Sequence, residues 1–192
     1  YILDQGTLAL TGSEAAHPRP HIVNTQIVID ATSVDVTLEG PVLKATGTVK
    51  SVLQPRKADA AGQSPGAKLP SMLKQDRPVN VTAEALDYDG ANDKATYSGG
   101  AQLWQGETQI KGPTIVIDSS KGDLTAEGPV ATVIALQQDA KDGTKEPGRS
   151  TGTANAFRYE EAERRATYTG EAHISGPQGD MTSPKIELYL KP

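Results

Sequence analysis

The stretch KATYSGGAQLWQG, residues 94–106, decides the fold, because its pattern recurs as RATYTGEAHISG, residues 165–176. Tyr97 of the first copy corresponds to Tyr168 of the second, 71 positions further on. Both copies carry a glycine inside an alternating run of apolar and polar residues, which is typical of a strand that bends. We predict that the chain turns a corner at Gly99 and begins a new strand there.

Strand-like sequence continues through most of the chain. Val34 and Val36 alternate with Asp35 and Thr37, which places one face against an apolar interior and the other in water. Turn signals such as Asp89-Gly90 separate the runs. The charged segment 160–164 corresponds to that turn at the 71-residue offset, so we predict a hairpin tip and no helix. Repeats of this size favour stacked β-units over a closed barrel.

Composition narrows the classes of function. The chain has 192 residues, enough for one domain, and a net charge of −5. A protein that binds nucleic acid usually has a basic surplus or a basic face, so we predict no nucleic-acid partner. Leu, Ile, Val and Phe make up about a fifth of the residues, a low fraction that an open sheet with an incomplete core would explain.

The chain contains no cysteine, which excludes thiolate metal sites, thiol nucleophiles and disulfides. No run of apolar residues reaches the length of a membrane span. The sequence opens in strand-like residues without Met. We therefore expect that a leading segment was removed and that this chain contains neither a signal nor an anchor segment.

Two stretches interrupt the strand pattern. Residues 55–78 contain four of the thirteen prolines and a surplus of basic side chains, which predicts a mobile loop with one helical turn at 71–74. Residues 137–153 are polar and predict a long hairpin loop. We predict a single domain over residues 1–192, with a partial first unit at 1–54, the insertion loop at 55–78, a second unit at 79–136, the loop at 137–153 and a third unit at 154–192.

Two short segments resemble a calcium-binding loop and a phosphate-binding loop, but neither meets the physical requirements of that loop. Residues 87–94 resemble the start of a calcium loop, but Gly90 is the fourth residue where that loop needs glycine sixth. Residues 143–150 match the spacing of a phosphate loop, but Pro147 removes one N–H donor and a strand follows instead of a helix.

The three histidines, His17, His21 and His173, lack the spacing of a zinc site or a catalytic triad. His173 is predicted to face the solvent. No nucleophile elbow occurs. We predict no catalytic residue, no metal, no cofactor and no enzyme activity.

What remains is a set of apolar positions that share the inward phase of the predicted strands. Two interpretations are open: an ordinary packed sheet core, or an apolar groove between two facing walls of the sheet. The candidates for the groove are Val79, Val81, Leu86, Tyr88, Tyr97, Leu103, Ile110, Ile115, Ile117, Phe157, Tyr159, Tyr168, Ile174, Ile186 and Leu188.

Residues 77–130 resemble the OstA-like family, which includes the lipopolysaccharide-transport protein LptA and the periplasmic domains of LptC and LptD. The resemblance continues at 154–190 and, more weakly, at 1–53. The insertion at 55–78 and the loop at 137–153 depart from the compact family pattern. The motifs that carry the resemblance are Pro78-Val79, a strand at 83–89, Ala-x-Tyr-x-Gly at 95–99, Gln-Gly-x-x-x-Ile at 105–110, Ile-x-x-Asp at 115–118 and a closing strand at 124–130.

The resemblance implies an elongated, V-shaped antiparallel β-jellyroll, or β-taco, in the periplasm. It also implies that the apolar trough accepts the acyl chains of lipopolysaccharide, and that such proteins stack by their strand edges into a bridge between membranes. Partners would then be other β-jellyroll proteins of the bridge or a second copy, head to tail. Residues 1–10 and 185–190 are the predicted free edges.

Two other functions remain open from the residues. One is a structural or adhesive β-solenoid with a filled core and no lipid. The other is a polysaccharide-active β-helix enzyme, which needs clustered carboxylates or basic residues on one outward ladder, and no such ladder is evident in the sequence.

Overall fold

Over the residues that the structure describes, the fold consists of β-strands, turns and extended segments. The computed structural model describes residues 6–12, 19–23, 27–37, 40, 42–54, 68–139, 145–177 and 179–190, and only the backbone at 136–139 and 145–147. No helix in these ranges is long and apolar enough to cross a membrane. The strands are β1 (Thr7–Thr11), β2 (His21–Val23), β3 (Ile27–Asp30), β4 (Ser33–Thr37), β5 (Val42–Leu53), β6 (Val79–Asp89), β7 (Lys94–Gln105), β8 (Thr108–Asp118), β9 (Asp123–Asp139), β10 (Lys145–Glu160), β11 (Arg165–Gly176) and β12 (Gly179–Tyr189).

The twelve strands form one antiparallel sheet. From β4 onwards each strand pairs with the next along the chain, and β1 pairs with β4. The long strand β5 pairs with β4 along its first half and with β3 along its second half, while β2 pairs with β3. Among the described residues, β12 ends the sheet on one side, β1 and β2 end it on the other, and no pairing joins the two sides, so the sheet is open. The predicted all-β antiparallel class is confirmed.

The predicted corner at Gly99 is present as a bulge, but the prediction that a new strand begins there is wrong, because β7 continues through Gly99 as one strand. In β7 the register with both neighbours shifts at Gly99 and Gly100, whose φ angles are +80° and +73°. Gly170 in β11 repeats this conformation with φ +79°. A Cβ atom on Gly99 would lie 2.5 Å from the Cβ of Glu84, so the close approach of β6 requires glycine.

The strands are bent, so that residues 68–74 bridge their two ends. The Lys68 N–H donates to the Ser119 carbonyl at the end of β8, and the Lys74 N–H donates to Gln105 beside the start of β8. A straight strand of the length of β8 would span about 34 Å. The six steps from Lys68 to Lys74 reach at most about 22 Å. The sheet is therefore folded over, which gives the predicted V shape.

The strand ends form two rims. The first rim contains the turns at 90–93, 119–122 and 161–164, and the second rim contains the turn at 106–107. Asp93 and Arg164, again 71 positions apart, have nearly equal left-handed φ angles of 49° and 48°. The prediction of a hairpin tip at 160–164 is confirmed.

The loop predicted at 137–153 is wrong over the described residues. β9 continues to Asp139 and β10 begins at Lys145. The two strands pair without a shift from Lys145 opposite Asp139 to Ala154 opposite Val130. Polar side chains and glycines suggested a loop, but a ladder is made by backbone N–H and C=O groups. These groups are available whatever the side chain, and even Pro147 can sit in a strand opposite Gln137.

The predicted mobile loop at 55–78 is wrong for its second part. Residues 55–67 lie outside the described residues, whereas residues 68–77, here called the strap, pack onto the sheet. Leu69 and Leu73 are buried. The predicted helical turn at 71–74 is a simple turn, in which the Leu73 N–H donates to the Pro70 carbonyl at 2.9 Å. The strap had no apolar alternation that would have indicated its packing.

Candidate functional site in the sheet interior

The fifteen predicted groove residues lie on the inner face of the folded sheet and belong to one apolar cluster. Twelve of them are at most 2% exposed. The other three, Tyr88, Ile186 and Leu188, are half-buried and pack against the cluster. Alternation along each strand identified these positions correctly as inward-facing. Their burial also means that this interior is closed to water in the conformation described.

Further inner residues were not among the fifteen groove candidates. The inner residues of β9 alternate with outward ones along the sequence, so this alternation could have identified them. Leu69 and Leu73 on the strap carried none, because two leucines in a proline-rich stretch have no strand or helix period. The additional core residues include Ile29, Val34, Val49, Leu69, Leu73, Leu124, Val130 and Ile134.

The polar atoms of this interior are mainly tyrosine hydroxyls that reach other hydroxyls. Tyr168 Oη lies 2.7 Å from Thr132 Oγ1, and Tyr159 Oη lies 2.8 Å from Ser71 Oγ on the strap. Tyr97 Oη and Ser51 Oγ are also buried, but neither makes a hydrogen bond within the usual geometric limits. The ring of Tyr168 also meets Phe157 edge-on with centroids 4.9 Å apart.

Phenols are neutral at neutral pH, and burial moves their ionisation to still higher pH. Burial raises the pKa of Tyr97 to about 12, with the nearby Ser51 hydroxyl opposing the change. It also raises the pKa of Tyr168 to about 12, against an opposing hydrogen bond with Thr132. The interior therefore carries no charge at neutral pH from these groups, and it offers apolar surface with a few hydroxyls.

The strap joins both rims through side chains of the sheet. At the first rim, the Ser71 N–H donates to Glu161 Oε2 at 2.8 Å. At the second rim, Gln105 accepts from the Lys74 N–H at 2.6 Å and donates to the carbonyls of Lys74 and Arg77 at 2.8 and 2.9 Å. The strap thus crosses the open side of the V, which we call the mouth.

Charged groups on the last strands are paired with one another. Glu160 contacts Arg165 at 2.5 Å and Arg158 at 3.0 Å, and Lys185 contacts Glu187 at 2.5 Å. The hydrogen bond from Arg165 holds the pKa of Glu160 below its ordinary value. Such carboxylates are engaged by neighbouring cations, and this arrangement stabilises a surface and does not resemble a poised acid and base.

His173 is exposed, as predicted, and its ring Nδ1 lies 3.0 Å from Thr182 Oγ1. His21 bonds Asp30 across β2 and β3 at 2.7 Å. His17 lies outside the described residues. Within the described ranges, no three His, Asp or Glu side chains are grouped so that they could hold a metal ion.

The sheet has apolar side chains at both edges. On β12, Ile186 and Leu188 are half-buried, and Tyr189 is 65% exposed. On β2, Val23 is 63% exposed. No further strand pairs with the outer side of β12 or β1 among the described residues, so the predicted edges at 7–10 and 185–189 are edges of this sheet. Residues 1–5 lie outside the described part.

Comparisons with known proteins identify the family. Among curated proteins, none is significantly similar to this chain. A solved structure of LptH, the LptA homologous periplasmic component of the lipopolysaccharide transport device of Pseudomonas aeruginosa, is similar at 20% identity with a TM-score of 0.49. That match covers 59% of this chain and 76% of LptH.

The model of the LptA/(LptD N-terminal domain) LPS transport protein family matches this chain twice, over residues 21–123 and 80–192. Each match covers more than half of the chain, and together they span every strand from β2 to β12. Two overlapping matches agree with the internal repeat of strand units. The chain belongs to the LptA/LptD N-terminal domain family of lipopolysaccharide transport proteins.

Proposed function

We propose that this protein carries lipopolysaccharide in the periplasm, with the acyl chains held between the two walls of the folded sheet. The observation that carries the proposal is the uncharged apolar interior of an open, V-shaped sheet in a member of a lipopolysaccharide transport family. Burial of an acyl chain is favourable by about 0.8 kcal/mol per CH₂ group, so the interior needs no specific polar contact to hold lipid.

Lipid binding in this form requires the walls to separate. The inner side chains touch one another in the closed conformation, and an acyl chain would replace those contacts with contacts of the same apolar kind. The fifteen inner residues named above are therefore candidates for lipid contact. The second unit at 79–136 and the third at 154–192 would extend one continuous groove within a single domain.

The edges support the second half of the proposal, which is stacking. A strand at the edge of a sheet carries unpaired backbone groups that can pair with another chain. β12 of one molecule would pair with β1 of a second copy, or with an equivalent edge of another β-jellyroll protein of the transport bridge. The half-buried Ile186 and Leu188 would then become fully buried, and the groove would continue across the junction.

Site-specific photo-crosslinking tests the lipid site. A photo-reactive residue at the inward positions Tyr97, Leu103 or Ile117 is expected to capture lipopolysaccharide. The same residue at the outward positions Thr96 or Gln102 is the matched control, since these lie on the same strand as Tyr97 and Leu103. Crosslinks found only at the outward positions would exclude the interior as the lipid site.

The second candidate function is a structural or adhesive β-solenoid with a filled core. The near-complete burial of twelve inner residues favours this alternative. It predicts that no lipid co-purifies with the protein, which mass spectrometry of the purified chain measures. Lipopolysaccharide in the purified protein would argue against it.

A further inference from the structure

The strap, residues 68–77, is attached to the sheet differently from every strand. Each strand is bonded to its neighbours by a ladder of backbone pairs, whereas in the part of the chain that the structure describes the strap is joined to the sheet backbone by the hydrogen bond from the Lys68 N–H to the Ser119 carbonyl at 2.8 Å. The remaining bonds use side chains of Glu161, Tyr159 and Gln105. None of these bonds belongs to a ladder between strands, so breaking them leaves the pairing of the sheet intact.

The strap also fills part of the apolar interior. Leu69 is 8% exposed and Leu73 is 2% exposed, and both belong to the same cluster as the predicted groove residues. Met72 is half-buried against that cluster. These side chains enter the interior from the mouth and occupy apolar space that an acyl chain would need. The strap and a lipid therefore compete for the same surface.

We propose that the strap is a removable closure of the lipid interior, which must leave the mouth before acyl chains enter. The inference rests on the proposed function and adds a regulatory step to the same site. In this scheme, Leu69 and Leu73 protect the interior from water in the empty protein. Lipid displaces them, and the strap returns when lipid is passed on.

The geometry provides a way to lock the strap. Its carboxyl end runs directly into β6 at the second rim, so one additional bond at the first rim closes the mouth covalently. Lys68 and Ser119 share a backbone hydrogen bond, which places their Cα atoms within the span of a disulfide. The natural chain has no cysteine, so the variant Lys68→Cys/Ser119→Cys forms this disulfide without competing thiols.

Binding of fluorescently labelled lipopolysaccharide is then measured for the oxidised and the reduced variant. The oxidised protein is expected to bind about tenfold more weakly or worse, because only the fraction with an open mouth is competent. Reduction is expected to restore wild-type binding. A matched control is Lys44→Cys/Asp87→Cys, which joins two exposed outer-face residues of β5 and β6 that form a 3.3 Å ion pair. Oxidation of this control should leave binding unchanged.

A second variant moves the equilibrium in the opposite direction. Gln105→Leu keeps the size of the side chain but removes its three hydrogen bonds to the strap. It is expected to load labelled lipopolysaccharide several-fold faster, because the closed position of the strap loses at least the stability that one hydrogen bond contributes. Slower or unchanged loading would overturn the closure.

The outcomes separate this inference from the function on which it rests. If the wild-type protein does not bind lipopolysaccharide, the proposed function fails and the strap proposal fails with it. If the wild-type protein binds but the oxidised Lys68→Cys/Ser119→Cys variant binds equally well, the function stands and the strap is a fixed part of the fold.

Discussion

The hydroxyl of Tyr168 lies 2.7 Å from the hydroxyl of Thr132, two strands away in the sheet, and both atoms are buried. The tyrosine reaches across β10 above Gly152, where a Cβ atom would lie 2.6 Å from its ring. Glycine on the middle strand thus makes room for an aromatic ring that connects the outer two. The bond fixes the spacing of three strands on the inner face.

Removal of that hydroxyl tests its contribution. Tyr168→Phe is expected to lower the free energy of unfolding by about 1 kcal/mol, because a buried hydrogen bond is lost while the ring remains. Tyr97→Phe is the matched control, since the buried Tyr97 hydroxyl has no hydrogen bond of good geometry and its loss should cost nothing. Urea denaturation measures both. Equal losses in the two variants would contradict this account.

The two buried phenols make stability sensitive to high pH. Their folded pKa of about 12 lies above the ordinary value of about 10, so below pH 10 both states are neutral and their stability contribution is complete. Between pH about 10 and about 12 the unfolded chain loses these protons first, and stability falls as pH rises.

Absorbance of phenolate during an alkaline titration, followed together with circular dichroism, checks this expectation. The signal from Tyr97 and Tyr168 should appear only as the sheet unfolds, and the double variant Tyr97→Phe/Tyr168→Phe should lose less stability over this pH range. Titration of both residues near pH 10 in the folded protein would contradict it.

The corner glycines differ in a way that substitution reveals. Gly99 and Gly100 both have positive φ, so alanine at either position should cost about 1–2 kcal/mol of stability. At Gly99 the new Cβ would also meet the Cβ of Glu84 at 2.5 Å, whereas nothing lies within 4 Å at Gly100. Gly99→Ala is expected to be clearly the more destabilising in urea denaturation. The reverse order would exclude close approach of β6 as the reason for glycine.

Acid should weaken the hairpin of β10 and β11, in which Glu160 lies opposite Arg165. Because the hydrogen bond from Arg165 lowers the pKa of Glu160, this carboxylate contributes stability above its unfolded pKa and loses it as pH falls through the folded one. Glu160→Gln is expected to be less stable than wild type near neutrality but to lose less on acidification. Urea midpoints at neutral and acidic pH measure this difference, and an identical acid loss would contradict it.

The sequence predicted those features that follow from local pattern. Alternation placed Tyr97, Leu103 and Ile174 on the inner face, and the glycine inside each repeat located the bulge. The Asp89-Gly90 signal, carried 71 positions forward, identified the tip at 161–164 despite its helix-like composition. The alternation and the bulge glycines depend on neighbours within a few residues, and the tip at 161–164 depends on the same kind of local signal in the other copy of the repeat.

Features that depend on distant contacts were missed. The strap docks because Gln105, about thirty residues away in sequence, offers an amide that matches its backbone. Polar residues at 145–147 form a strand because β9 supplies backbone partners, which their own side chains do not indicate. Local composition contains neither piece of information.

The alternation of strand direction has a consequence for how such a chain can change in length. The path from β1 to β12 contains nine strand spacings, which amount to about 43 Å at about 4.8 Å each. Loss or gain of a single strand would reverse the direction of the last one and carry the chain terminus to the opposite rim. A sheet of this design that keeps its terminus on the same rim is therefore lengthened or shortened by whole hairpins of two strands, each of which adds or removes about 9.6 Å.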